Sequence, residues 1–156
     1  MARDSARLLL TIWRDADFVA LPSGAQRMYL LAISQPNLTW AGVVPYTPAR
    51  WAGLAPDTTP TRVRRDVRVL ADARFVVVDE STEEMLVRTY VMHDRVLRSP
   101  NVTVAMTKAA HMIVSPVVRR AFMRELVRLA SDEPDLLGWS SQPVKELLEE
   151  ARRHAS

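Results

Sequence analysis

Two short helix signals around a tight turn between Thr47 and Arg74, an apolar hairpin pattern directly after them, and helical periodicity through the last third point to one fold class. The chain is expected to be mainly α with a small β wing: a winged helix-turn-helix over residues 1–100, carrying a C-terminal helical extension over 101–156. Composition permits this. At 156 residues, 48% hydrophobic and 25% charged, the chain can bury one substantial core. With no cysteine, a disulfide framework and a thiolate metal site are both excluded, which suits a reducing cytosol. No apolar run approaches the roughly 18 residues of a membrane span, and Asp4 comes too early for a signal peptide, so a cytoplasmic protein with no membrane partner is expected.

In chain order, Ala6 to Ile12 reads as a short strand or helical lead-in, and Trp13, Phe18 and Leu21 follow as core anchors. Ser23 is expected to cap a helix whose apolar face is Ala25, Met28, Tyr29, Leu31 and Ala32, broken by Gln35-Pro36-Asn37. Trp40 and Trp51 read as structural, and Gly42 to Pro45 can supply a short third strand. Thr47 is a cap, Pro48 suits the first helical position, and Gly53 stops a helix that runs through Ala52. Pro56 to Thr59 forms a turn and cap, after which Pro60 opens a second helix. On that helix Val63, Val67, Leu70 and the aliphatic stem of Arg74 fall on one side, with Arg62, Arg65 and Arg68 on the other. Phe75 to Val78 and Glu84 to Tyr90 are the strands of a hairpin joined by the polar turn Asp79 to Glu83.

The last third is helical. Asn101 to Val114 presents a broad apolar surface of Val102, Val104, Ala105, Met106, Ala109, Met112 and Ile113. Ser115-Pro116 starts a second helix, with Val117, Val118, Ala121, Phe122, Leu126 and Leu129 inward and Arg119, Arg120, Arg124 and Arg128 largely opposite, read as a solvated stripe with DNA contact as the lesser alternative. Ser141 caps a last helix with Val144, Leu147, Leu148 and Ala151 as its stripe. This extension is expected to dock on the winged unit, or to join a homodimer so that two reading helices reach successive half-sites.

A helix-turn-helix with arginines on its second helix is built for double-stranded DNA. That helix enters the major groove while the first holds it there. The expected DNA-binding residues are Thr47, Arg50, Thr59, Thr61, Arg62, Arg64, Arg65 and Arg68, with the arginines on guanine edges or phosphates and the threonines mainly as caps. Net charge is +3 with pI near 9.8, mildly favourable to a polyanion. The acidic stretch Asp79 to Glu84 works against a wing that grips phosphates. It favours the alternative class, an adaptor whose winged domain and C-terminal helices dock a replication or host protein such as a helicase. Enzyme chemistry finds no constellation. His93, His111 and His154 lack paired ligand spacing, so no metal is expected. Gly24, Gly42, Gly53 and Gly138 build no phosphate or dinucleotide loop, so no cofactor is expected. Tyr29, Tyr46 and Tyr90 stand without the histidine cluster of a nicking initiator.

A resemblance joins these residues. Trp13, Asp17, Phe18, Leu21, Gln26, Tyr29, the Ser34-Gln35-Pro36 break, Gly42, Trp51, the Phe75-Val76-Val77 strand and Pro100-Asn101-Val102 resemble the pattern of actinobacterial phage winged-helix proteins. Those proteins are labelled helix-turn-helix DNA-binding or replication-initiator-like. The likeness spans roughly Thr11 to Val102 and consists mostly of scaffold positions. It implies DNA binding in phage replication initiation or transcriptional control, in the host cytoplasm.

Overall fold

A computed structural model of the chain describes residues 3–155. Ser156 lies outside the described residues, as do Met1 and Ala2, the start of the stretch read against a signal peptide. A 3-10 turn over Leu10–Arg14 leads into α1 (Ala16–Val19) and α2 (Ser23–Ile33), followed by β1 (Val43–Pro45), α3 (Pro48–Ala52) and α4 (Pro60–Asp72). The hairpin β2 (Val76–Asp79) and β3 (Glu84–Val87) comes next, then α5 (Tyr90–His93), α6 (Pro100–His111), α7 (Pro116–Asp132) and α8 (Gln142–Ala155). The protein is mainly helical with one small antiparallel sheet, ordered β1-β3-β2.

Local chemistry accounts for most boundaries. Asp15 caps α1 by accepting from the amides of Asp17 and Phe18, and Thr59 caps α4 by accepting from the amide of Arg62. Ser23 does not cap α2; it lies inside the first turn, and Pro22 holds the cap position without a side-chain bond. Gly42 has φ +81°, and a Cβ there would stand 2.8 Å from Tyr90 Cβ, so a side chain is barred twice over. Its carbonyl takes the Val87 amide at 2.8 Å, and beyond this point the chain turns into α5. The second hairpin strand is therefore shorter than the apolar run suggests, and Tyr90 belongs to a helix.

The centre of the sheet explains the layering. Side chains alternate faces along a strand, yet Met85, Leu86 and Val87 are all at most 1% exposed. Both faces of β3 are thus covered. Helices α2 and α3 both pack on α4 and α4 reaches β2, while α7 lies across β2 and β3 and is backed by α8. The apolar core runs without a break from Phe18 to Ala151, crossing residue 100. Phe18, Tyr29 and Phe75 form an edge-to-face aromatic cluster, with centroids 5.6 Å apart for Phe18 and Tyr29.

Several apolar residues lie elsewhere than their periodicity indicates. Trp13 is 57% exposed, touching Phe18 edge-on from a 3-10 turn that buries none of its own residues. In α6 the buried side is Thr103, Met106, Thr107 and Ala110, while Met112 is 76% exposed. The threonines can face inward because their hydroxyls donate to carbonyls of their own helix, Thr103 to Ser99 at 2.7 Å and Thr107 to Thr103 at 2.8 Å. Val117, in the first turn of α7, is half exposed.

Polar ties fasten α7 to the hairpin. The Glu84 carboxylate accepts the amides of Val114 at 2.9 Å and Ser115 at 2.6 Å. Ser115 is fully buried, donates its hydroxyl to Asp79 Oδ2 at 2.6 Å and accepts the Val118 amide at 3.1 Å. The first turn of α7 thus meets two carboxylates, the sign that a helix N-terminus favours. Farther along, Arg88 Nε donates to Glu125 at 2.8 Å and Arg128 pairs with the other oxygen of the same carboxylate.

Ser115→Ala removes a cap and a donor together and is expected to cost about 1–3 kcal/mol in urea unfolding at pH 7. The hydroxyl of Ser115, and then that of Ser81, hold the Asp79 carboxyl below its ordinary 3.8. A depressed carboxylate adds stability that is full above its unfolded pKa and lost as pH falls through the folded value. The Ser115→Ala penalty should accordingly shrink below pH 3.8. A penalty that stays flat on acidification would show that Asp79 draws nothing from this bond.

Candidate nucleic-acid interface

Helix α4 carries four exposed arginines, Arg62, Arg64, Arg65 and Arg68. Its amphipathic division is sharp, because Val63, Asp66, Val67 and Leu70 are buried and the residues between them are not. At about 100° per residue, Thr61, Arg65, Arg68 and Asp72 centre the open side, with Arg64 on one flank and Arg62 on the other. Arg62 is turned away from that face: its Nη1 donates to the Asp57 carbonyl at 2.9 Å, closing the turn before the helix.

The remaining expected site residues divide by what holds them. Thr59 is the α4 cap, its hydroxyl oxygen 3.2 Å from the Arg62 amide. Thr47 occupies the α3 cap position but makes no side-chain cap bond, and it is half-buried. Arg50 is exposed in the last turn of α3, which packs on α4, and Thr61 is exposed in the first turn of α4. Arg65 keeps 65% of its side chain exposed while one edge reaches Asp66 at 3.3 Å. Burial and then Glu80 raise the Tyr46 hydroxyl pKa, and the guanidiniums of Arg64 and Arg68 pull it partly back.

Burial of Asp66 leaves Asp72 as the exposed acid on this face of α4. Periodicity marks Asp66 only as an acid interrupting a basic helix, yet it is 8% exposed and lies under the first turn of α2. A Cβ on Gly24 would stand 2.6 Å from its Oδ2, so the close approach needs glycine. The carboxylate is thereby placed at a helix start, where the edge of Arg65 reaches it. Glycine at the second position of a helix was the one sequence signal for this contact.

Arg74 does not contribute its stem to the packed face. The helix ends at Asp72, and Arg74 is exposed with φ +65°. The arginines of α7 are not one solvated stripe either. Arg119 pairs with Glu150 of α8 at 2.8 Å and holds that carboxyl below its usual range, Arg128 shares Glu125 with Arg88, and Arg120 and Arg124 are exposed.

Among the described residues, no group of three or more His, Asp or Glu is placed to hold a metal, and no helix is long and apolar enough to cross a membrane. Compared with protein-family models, curated proteins and solved structures, the chain has no match.

Thr59→Ala leaves the Arg62 amide without its acceptor and should lower stability by about 1 kcal/mol, with Thr59→Ser restoring most of it. Thermal unfolding of both variants checks this, and equal midpoints for alanine and wild type would remove the cap from the account of how α4 begins.

Proposed function

We propose that the chain is a winged helix-turn-helix protein that binds double-stranded DNA through α4. The observation that carries this reading is the open side of α4, where Thr61, Arg64, Arg65 and Arg68 are exposed and outnumber the exposed acid Asp72 at its C-terminal end, while Asp66 is buried under α2. Helix α3 as the supporting helix, the turn at 53–59, and the β2–β3 hairpin that follows α4 and pairs with β1 support the winged arrangement. Arginine forks at groove-facing positions pair with guanine or grip phosphates, each good base contact contributing about 1–3 kcal/mol of discrimination. The resemblance to actinobacterial phage winged-helix proteins makes replication initiation or transcriptional control in the host cytoplasm the proposed setting.

A second reading, docking of a helicase or host protein, is favoured by the exposed apolar residues Met112, Val114 and Val117 beside the hairpin, at 76%, 75% and 51% exposure. Salt separates the two readings, since contacts through several arginines weaken steeply with ionic strength and an apolar contact does not.

Fluorescence titration against duplexes flanking the gene and against random duplex, at two salt concentrations, tests the reading. Arg65→Ala is expected to weaken fragment-selective binding by roughly tenfold more than random binding. Equal losses on both would reduce Arg65 to a phosphate contact. Absence of any wild-type binding at low salt would sink the DNA reading and leave the docking surface.

A further inference from the structure

Beside the C-terminal end of α4 lies a groove floored by Val76 and Val77 of β2 and walled by Arg74, Arg88, Arg124 and Arg128 against a single carboxylate, Glu125. That carboxylate is fully used. Arg88 and Arg128 take its two oxygens, and Arg88 also donates Nη1 to the Arg74 carbonyl at 2.9 Å. Arg74 and Arg124 are exposed, and neither guanidinium has a hydrogen-bond or ion-pair partner among the described residues.

The backbone at Arg74 makes the placement unusual. The amide of Arg74 bonds to the Ala71 carbonyl at 3.0 Å and that of Phe75 to the Leu70 carbonyl at 2.9 Å. Together with φ +65° at Arg74 this is a Schellman end, whose left-handed residue is ordinarily glycine because a Cβ is strained there. The chain instead carries its largest cation at this position, and strain kept in a fold is a pointer to use.

We propose that this groove holds the phosphate backbone bordering the major groove into which α4 inserts, a second DNA contact made by Arg74 and Arg124. The proposal rests on the DNA reading of α4. Length supports it: the 13 residues of α4 span about 20 Å, whereas the major groove is about 12 Å wide. With the N-terminal part of the helix on base edges, its C-terminal end projects over the flanking strand. The carbonyl end of a helix repels an anion by about half a charge, and the net excess of guanidinium charge in the groove outweighs it. Helix α7, tied to the sheet through Glu84 and Ser115, becomes part of the DNA-facing surface rather than a distant appendage.

The test compares three proteins on random duplexes of about 30 base pairs through a salt series: wild type, Arg65→Ala with Arg68→Ala, and Arg74→Gly with Arg124→Gln. The groove variant is expected to bind every sequence about tenfold more weakly, to lose about 2 from the log–log salt slope, and to melt no lower than wild type, because glycine relieves the left-handed position. Arg124→Gln alone should take about half of that slope change and guards against any folding effect at 74. If the groove variant binds with wild-type affinity and slope while the α4 variant is weakened, the groove proposal is overturned and the α4 reading stands. Weakening of the groove variant alone would keep the groove as a phosphate contact but overturn its placement beside an α4 seated in the major groove. A wild-type protein that binds no duplex at low salt overturns both.

Discussion

The central strand β3 can exist only if both of its faces are covered. Met85, Leu86 and Val87 are consecutive, apolar and buried, so adjacent side chains point to opposite layers. One layer is supplied by the helices around α4 and the other by α7. Neither layer alone would keep these residues from water. At about 25 cal/mol per Å² of apolar surface, stripping α7 from the sheet would cost several kcal/mol, a large part of the net stability of a domain this size. The C-terminal helices are therefore structural partners of the sheet that positions α4, whatever else they do.

Charge is sorted by the same packing. Along the sequence, the acids of 79–84 read as opposing an approach to phosphates. In the fold, Asp79 and Glu84 are turned to the first turn of α7, where a helix N-terminus and a buried serine hydroxyl meet them. Glu80 and Glu83 stay exposed at the turn, so the hairpin tip remains the least basic part of the surface. On α4 the equivalent sorting buries Asp66 under α2 and leaves the arginines outside with Asp72. The proposed DNA face owes its sign to where two kinds of carboxylate went as much as to the number of arginines.

The elements with strong local signals were legible in advance. Proline at the first helical position with a threonine or serine before it marked α3, α4 and α7, and the stripes of α2 and α8 matched their buried residues. Less legible were residues whose environment is made by distant segments. Trp13 looked like a core anchor and is exposed, because nothing packs over its 3-10 turn. Thr103 and Thr107 looked polar and are buried, because their own helix satisfies their hydroxyls. Arg74 looked like a packed helical residue and instead terminates the helix in a left-handed turn, because Phe75 must leave the helix axis to join Phe18 and Tyr29.

By itself the sequence determined what depends on neighbours along the chain: where helices begin, which stripe of each is apolar, that a hairpin follows a basic helix, and that α4 carries several arginines. Only the tertiary structure decided that Asp66 faces inward, that Arg62 folds back on Asp57, that the acids of the hairpin fasten α7, and that Arg74 and Arg124 come to one groove. The physical reason is range. Caps and periodicity are set within a turn or two of the backbone. The partner of a charge is set by whatever surface folding brings within hydrogen-bond distance, and here those partners are far apart in the chain, Glu84 with Ser115 and Arg88 with Glu125.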